Sequence, residues 1–289
     1  MPEVTAADGA RETGTVLDRI VADRRARLAE DRAATPEARF VELEAALPGG
    51  RVDFASRLRE GRRGAPSGAR LRLIAEIKRA SPSKGLFDAD LDAAQQAREY
   101  ASAGASAVSV LTEPSFFRGG IADLRAARAA FGDDLDRPAL LRKDFIFDAY
   151  QVREARANGA DALLLIVMML EPLALRDLIA LTREESMEPL IEVHDEAEVE
   201  AALAAGARVL GVNNRDLRTF AEDLGATERL ARLVPAGITL VAESSIKVAA
   251  DAVRMADAGA HAILVGEALV TTGDITAKAH ELMLVPAAG

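Results

Sequence analysis

The 289-residue sequence contains no cysteine, which excludes disulfides, thiolate metal sites and a cysteine nucleophile. Lysine is scarce: Lys78, Lys84, Lys143, Lys247 and Lys278 are the five, so 31 of the 36 basic residues are arginine. A cationic excess is also missing, since 46 Asp+Glu against 36 Lys+Arg leave a net charge of −10. Such a chain has no field to hold a phosphate backbone or an anionic bilayer, so neither nucleic acid nor membrane is an expected partner. No apolar run approaches the ~18 residues of a membrane helix, and the longest, Ala162 to Leu170, is only strand-sized. Met1 to Gly14 carries Glu3, Asp8 and Glu12 without an apolar stretch and does not read as a secretion signal. A soluble cytoplasmic protein is the expectation.

Hydrophobic residues make up 49% of the chain, and at this length roughly 75% of the unfolded surface can be buried, so a full core forms without staples. From about residue 70, short apolar runs alternate with Ala/Arg/Glu stretches of helical period, the pattern of βα units around a parallel sheet. Eight runs are read as strands: Leu71 to Lys78, Ala107 to Thr112, Ala139 to Phe145, Ala162 to Val167, Pro189 to His194, Val209 to Asn214, Thr239 to Ser244 and Ala262 to Gly266. Gly104, Gly159, Gly206 and Gly259, each set between small residues ahead of a run, fit the left-handed residue that ends a helix. Eight such units predict a (β/α)8 TIM barrel of the α/β class. The rival, an open doubly wound sheet, wants Gly-x-Gly-x-x-Gly after its first strand, where Ile77 to Ser83 has none. Residues 1–14 are expected to be disordered, 15–68 to form a helical extension and linker capping the barrel, and 69–289 to form the barrel itself. In the extension, Val16, Ile20, Ala26 and Leu28 are read as the apolar stripe of a helix, and Gly61 to Gly68 as a flexible joint.

In a barrel of this kind chemistry belongs at the C-terminal strand ends. There the sequence places Glu76 and Lys78, Lys143 and Phe145, Glu192 and His194, Asn213 and Arg215, and Glu243 and Ser244. Residues at i and i+2 share a strand face, so these pairs converge on one mouth. Two of the five lysines sit there, and an ammonium close to carboxylates suits general acid work, which Lys78 and Lys143 are expected to perform. His194 has no second His or Cys at ligand spacing, so no metal site is expected and no role is given to it. Strands seven and eight break into small residues at Ser244, Ser245, Gly266 and Glu267, a recurring place for phosphate in this barrel. Phe117 and Phe145 offer an aromatic face for a planar substrate, and Phe116 serves that face or ordinary loop packing equally well.

The motifs Ile74-Ala75-Glu76-Ile77-Lys78-Arg79-Ala80-Ser81-Pro82-Ser83, Leu111-Thr112-Glu113 with Phe116-Phe117, Leu141-Arg142-Lys143-Asp144-Phe145-Ile146, Ile191-Glu192-Val193-His194, Gly211 to Leu217, Ala242-Glu243-Ser244 and Leu264-Val265-Gly266 occur in order. On these the chain resembles indole-3-glycerol phosphate synthase, from about Val16 to Leu284. The resemblance implies a substrate with an anthranilate ring, a ketose chain and a phosphate, no cofactor and no metal. It implies Lys143 as the acid on the ketone oxygen, and Lys78, Glu192 and Glu76 as the groups that move protons in dehydration. It further implies Asn213 as a partner of substrate hydroxyls and Glu243 as an orienter of the lysines. Phe117 and Phe145 would flank the ring, and Arg215 and Ser81 would meet polar or anionic groups. Ser244, with the backbone around Ser245, Gly266 and Glu267, would hold phosphate. The chain departs from the family pattern at Ser245, where glycine is usual, at Gly120, where serine is frequent, and at Ala149, where proline is frequent. Two other readings stand beside the synthase: a Schiff-base aldolase on a strand-end lysine, and a paralogue that binds a sugar phosphate without turnover, motivated by Ser245. The expected assembly is a monomer or weak homo-oligomer.

Overall fold

The computed structural model describes residues 8–82 and 84–286. The eight apolar runs form eight parallel strands: β1 (Arg72–Ile77), β2 (Ala107–Leu111), β3 (Ala139–Lys143), β4 (Ala162–Ile166), β5 (Glu188–Val193), β6 (Val209–Asn213), β7 (Thr239–Glu243) and β8 (Ala262–Val265). They hydrogen bond in chain order, and Leu264 of β8 lies opposite Ile74 of β1, which closes the barrel. All five residues of β4 are buried, as a strand covered on both faces requires. The connecting helices include α4 (Ala93–Ser102), α5 (Ile121–Ala129), α6 (Ala149–Ala157) and, after β5, α8 (Glu196–Ala204), with α7 (Pro172–Glu184) between β4 and β5. Gly104, Gly159, Gly206 and Gly259 have φ of 92°, 91°, 91° and 96°. The N–H of the alanine after each, Ala105, Ala160, Ala207 and Ala260, donates to a carbonyl five residues back, at Tyr100, Ala155, Ala202 and Met255. That is the hydrogen bond by which a helix ends on a left-handed residue and turns into the next strand.

Three helices precede the barrel: α1 (Val16–Ala34), α2 (Phe40–Ala45) and α3 (Phe54–Glu60). The Thr15 hydroxyl caps α1 by accepting from Leu17 N at 3.1 Å. Its buried face is Leu17, Ile20, Val21, Arg24 and Leu28. The apolar stripe read from the sequence differs here, because Ala26 is exposed and Arg24 takes the buried position. Arg24 fits because it meets carboxylates there, Asp144 at 3.3 Å and Asp31 at 2.7 Å.

Of the stretch 1–14 expected to be disordered, residues 1–7 lie outside the described residues. Gly9 and Arg11 are tied to the barrel, with Gly9 N donating to Phe147 O at 3.0 Å and Arg11 N to Met169 O at 2.9 Å. Ala10 bridges Leu170 in antiparallel fashion, so this segment satisfies backbone groups that the end of β4 leaves open. Within 61–68, the Arg62 side chain donates to Ala105 O at 3.0 Å, which anchors the joint to the barrel floor. No helix among the described residues is long and apolar enough to cross a membrane.

Candidate active site

Parallel register brings the strand-end side chains together. Glu243 on β7 lies beside Asn213 on β6, and Glu192 on β5 lies beside Gly211. Lys143, the last residue of β3, points its ammonium between two carboxylates, 3.2 Å from Glu243 Oε2 and 3.6 Å from Glu76 Oε2. Lys78 Nζ is 2.7 Å from the other Glu76 oxygen, so Glu76 bridges both lysines. Asn213 Nδ2 donates to Glu192 Oε1 at 3.1 Å, and Asn213 Oδ1 accepts from Arg215 N at 3.0 Å.

The electrostatics follow from burial and these neighbours. Burial disfavours the Lys143 ammonium, but the charges of Glu243, Glu76 and Glu192 outweigh it and hold its pKa above the usual lysine range. Burial likewise raises the Glu76 carboxyl, and Lys78 and Lys143 overcome that and leave it lowered. For Glu192, burial is overcome by His194, Lys143 and Asn213, and its pKa falls to about 2. Glu243 goes the other way. Burial raises it, Lys143 opposes, and the charges of Glu192 and Glu76 add to the rise, so it is pushed up to about 7.

Two glycines leave room for this cluster. A Cβ at Gly211 would lie 2.0 Å from Glu243 Oε1, and one at Gly266 would lie 2.4 Å from Glu76 Oε1 and 3.0 Å from Lys78 Nζ. Asn214 fixes the end of β7 from outside the barrel, where its backbone and side-chain N–H groups donate to Glu243 O at 2.9 and 3.0 Å.

The aromatic wall is set by a buried carboxylate. Glu113 accepts from the N–H groups of Ser115, Phe116 and Phe117 at 2.8, 2.7 and 3.0 Å, which folds the loop after β2 and turns Phe117 inward. The Phe117 and Phe145 rings sit 6.2 Å apart and tilted by 38°. Phe116 lines no part of the cleft and lies under the Arg19 guanidinium at 5.4 Å. Across the mouth, Ser244 and Ser245 both adopt φ of 65°. Both residues line the cleft in the left-handed region, which L residues seldom adopt. The Glu267 carboxylate lies 3.5 Å from Lys84 Nζ and 3.9 Å from Arg215. Arg215 also pairs with Glu222 at 2.9 Å. Ser81 is buried, and its Oγ accepts from Lys84 N at 3.2 Å.

Every site residue predicted from the sequence except Glu243 lines this one cleft. Glu243 is fully buried behind Lys143 and reaches the cleft only through it.

The sequence reading missed several lining residues. Val16, Leu17 and Ile20 of α1 reach the cleft, as does Phe220, and the Phe87 ring lies 5.5 Å from Lys78 Nζ. Val16 and Ile20 carry a signal, the helical stripe, which by itself reads as packing, and Leu17 lies outside that stripe. Phe220 stands in an irregular loop with φ of 58° and gave none.

The family model for indole-3-glycerol phosphate synthase matches residues 17–282. The chain belongs to this family. Indole-3-glycerol phosphate synthase is a carboxy-lyase of tryptophan biosynthesis, and that is the activity of this protein. It is 45% identical over 268 residues to the synthase of Dehalococcoides mccartyi, covering 93% of this chain and all of that one. It is 48% identical over 259 residues to indole-3-glycerol phosphate synthase 2 of Streptomyces coelicolor, covering 90% and 95%. Among solved structures, 3-hexulose-6-phosphate synthase from Salmonella typhimurium superimposes with a TM-score of 0.59 at 14% identity, over 74% of this chain and 98% of that one. That likeness shows the barrel fold alone. A Schiff-base aldolase needs a free amine, and an ammonium is not nucleophilic. The raised pKa of Lys143 speaks against that chemistry.

Proposed function

We propose that this cleft divides the synthase reaction on 1-(2-carboxyphenylamino)-1-deoxyribulose 5-phosphate among the residues described above. Phe117 and Phe145 flank the anthranilate ring, and Ser244, with the backbone at Ser245, Gly266 and Glu267, takes the phosphate, so the ketone lies between them beside Lys143. As the ring carbon attacks the ketone carbon, Lys143 gives a proton to the ketone oxygen and removes the developing oxyanion charge. Carbon dioxide leaves with the bond to its ring carbon, whose electrons return to the ring system. Lys78, Glu76 and Glu192 then move the protons by which the hydroxyl departs as water and the indole forms. Asn213 bonds substrate hydroxyls, Arg215 and Ser81 meet polar or anionic groups, and Glu243 orients Lys143 from behind.

The observation that carries this assignment is the Lys143 ammonium held 3.2 Å from Glu243 and 3.6 Å from Glu76 at the wall of the cleft. A positioned ammonium keeps its proton at the ketone until the developing oxyanion is basic enough to take it. Purified protein given the substrate should develop indole fluorescence, and a folded protein that stays silent at high enzyme concentration overturns the reading. The same reading places the protein in the cytoplasm, as a monomer or weak homo-oligomer acting on a small phosphorylated molecule without cofactor or metal.

A further inference from the structure

Glu192 is gripped by a residue that the chemistry above does not use. His194, two residues along, is only 8% exposed at its side chain, and both ring nitrogens face carboxylates. Nε2 lies 3.3 Å from Glu192 Oε1, and Nδ1 lies 3.0 Å from Glu198 Oε2. A neutral imidazole would set a lone pair against one of these carboxylates, whereas the imidazolium is attracted to both, through the Nδ1 hydrogen bond to Glu198 and through the Nε2 ion-pair contact to Glu192, which lies outside hydrogen-bond geometry. Glu198 is itself fixed, since its Oε2 also accepts from His194 N at 2.8 Å and its own N–H donates to Asp195 Oδ1 at 2.9 Å, at the start of α8.

We propose that His194 is a positioning residue for the synthase reaction, a cation clamped between Glu192 and Glu198 that fixes the Glu192 carboxylate and keeps it ionised. The inference rests on the reading of Glu192 as a proton carrier. Both close contacts to Glu192, from His194 and from Asn213, fall on Oε1, which leaves Oε2 to the cleft. The other charges facing Glu192 are Lys143 from β3, which supports its ionisation, and Glu243 from β7, which opposes it. Without the imidazolium, burial and the neighbouring carboxylate would push Glu192 toward the neutral acid, which can no longer accept a proton. Burial alone would also discharge the histidine, and the two carboxylates reverse that and raise its pKa to about 10.

The test is the pH dependence of turnover in His194→Gln, with Glu198→Gln loosening the clamp from its far side. The acid limb of kcat should move up by about one pH unit or more in His194→Gln and by less in Glu198→Gln, with KM little changed. A purely structural histidine would lower the melting temperature and leave that limb where it is, and this result overturns the proposal. In the wild-type enzyme, ring nitrogen-15 shifts should show both His194 nitrogens protonated at pH 8, and a neutral tautomer there also overturns it. Glu192→Gln separates the two claims. If that variant turns over normally, the role given to Glu192 fails. If it is inactive while His194→Gln keeps the wild-type acid limb, only the clamp fails.

Discussion

Gly211 on β6 and Glu243 on β7 fit together so closely that a methyl group on the first would lie 2.0 Å from Oε1 of the second. The same methyl group would lie 3.2 Å from Leu190 Cδ1, so it meets a neighbour on that side as well. Gly211→Ala is therefore expected to displace Glu243 and, through it, Lys143. Overpacking of this kind costs about 1–3 kcal/mol, and a reactive group moved by an ångström loses about 100-fold in rate. Thermal unfolding and turnover measured together should show a modest fall in Tm and a much larger fall in kcat. A folded variant with wild-type kcat would show that Glu243 has no part in holding the lysine.

Lys143→Met removes the proton donor while keeping the length of the side chain. Turnover should fall by about 10²–10⁴-fold, the usual contribution of a general acid. Binding of the substrate, followed by fluorescence titration, should persist, because the ring and phosphate contacts lie on other residues. Undiminished turnover would refute the role of Lys143.

Arg24 reaches from α1 into a buried charge cluster. It contacts Asp144 at 3.3 Å, and Arg142 meets the same Asp144 at 3.0 Å and Glu154 at 2.8 Å. Asp144 Oδ1 in turn accepts from Phe145 N at 2.9 Å, which ties the extension to the aromatic proposed to flank the ring. Arg24→Met leaves a buried carboxylate short of a partner, which costs about 3–5 kcal/mol. Urea unfolding should register that loss, and KM should rise more than kcat falls because Phe145 is disturbed. The Asp144 pKa is lowered against burial by Arg24 and Arg142. Its stabilising contribution is therefore present above the unfolded carboxylate range and is lost as pH falls through the folded value. The stability gap between the wild type and Arg24→Met should accordingly narrow in acid.

Glu243 gives the opposite sign. Its folded pKa of about 7 lies above the model-compound value of 4.5. Between those values the folded protein holds a proton that the unfolded chain has released, so stability falls as pH rises through this window. Glu243→Gln cannot titrate there. Its unfolding free energy, relative to the wild type, should climb from pH 4.5 to pH 7 by on the order of 1.4 kcal/mol per unit and then level off. Denaturant unfolding at a series of pH values measures this, and two parallel profiles would mean that Glu243 ionises normally.

The strands were legible because apolar runs on both faces of a parallel sheet leave little ambiguity, and the four helix-ending glycines punctuated them. The polar strand ends were legible for a related reason, since Glu76, Lys143, Glu192 and Glu243 interrupt runs that are otherwise apolar. What the sequence hid depends on distant partners. Arg24 reads as one more arginine on a charged helix until Asp144 is brought beneath it. His194 reads as a strand-end residue without a role until Glu198 folds back from α8. Gly211 looks like any glycine in a strand until the register sets Glu243 beside it. Gly120 and Ala149 stand at the N-cap of α5 and the first turn of α6, and Asp148 caps α6 without help from a proline.

Ser245, where the resemblance leads one to expect glycine, has a backbone that suits glycine. With φ of 65° it sits in the left-handed region, at a cost for a residue bearing Cβ of about 1 kcal/mol or more. Its Oγ is buried and makes no hydrogen bond among the described residues, so the hydroxyl recovers none of that cost within the chain. Ser245→Gly should therefore raise the unfolding free energy by about 1 kcal/mol. If the proposed phosphate site is right, it should also tighten binding of inorganic phosphate and lower KM, because the backbone there reaches the left-handed region without the strain of a Cβ. Calorimetric titration with phosphate and denaturant unfolding report the two effects separately. Weaker phosphate binding by the glycine variant would instead identify the Ser245 hydroxyl as a ligand that this chain has gained, and would reverse the assignment of strain without benefit.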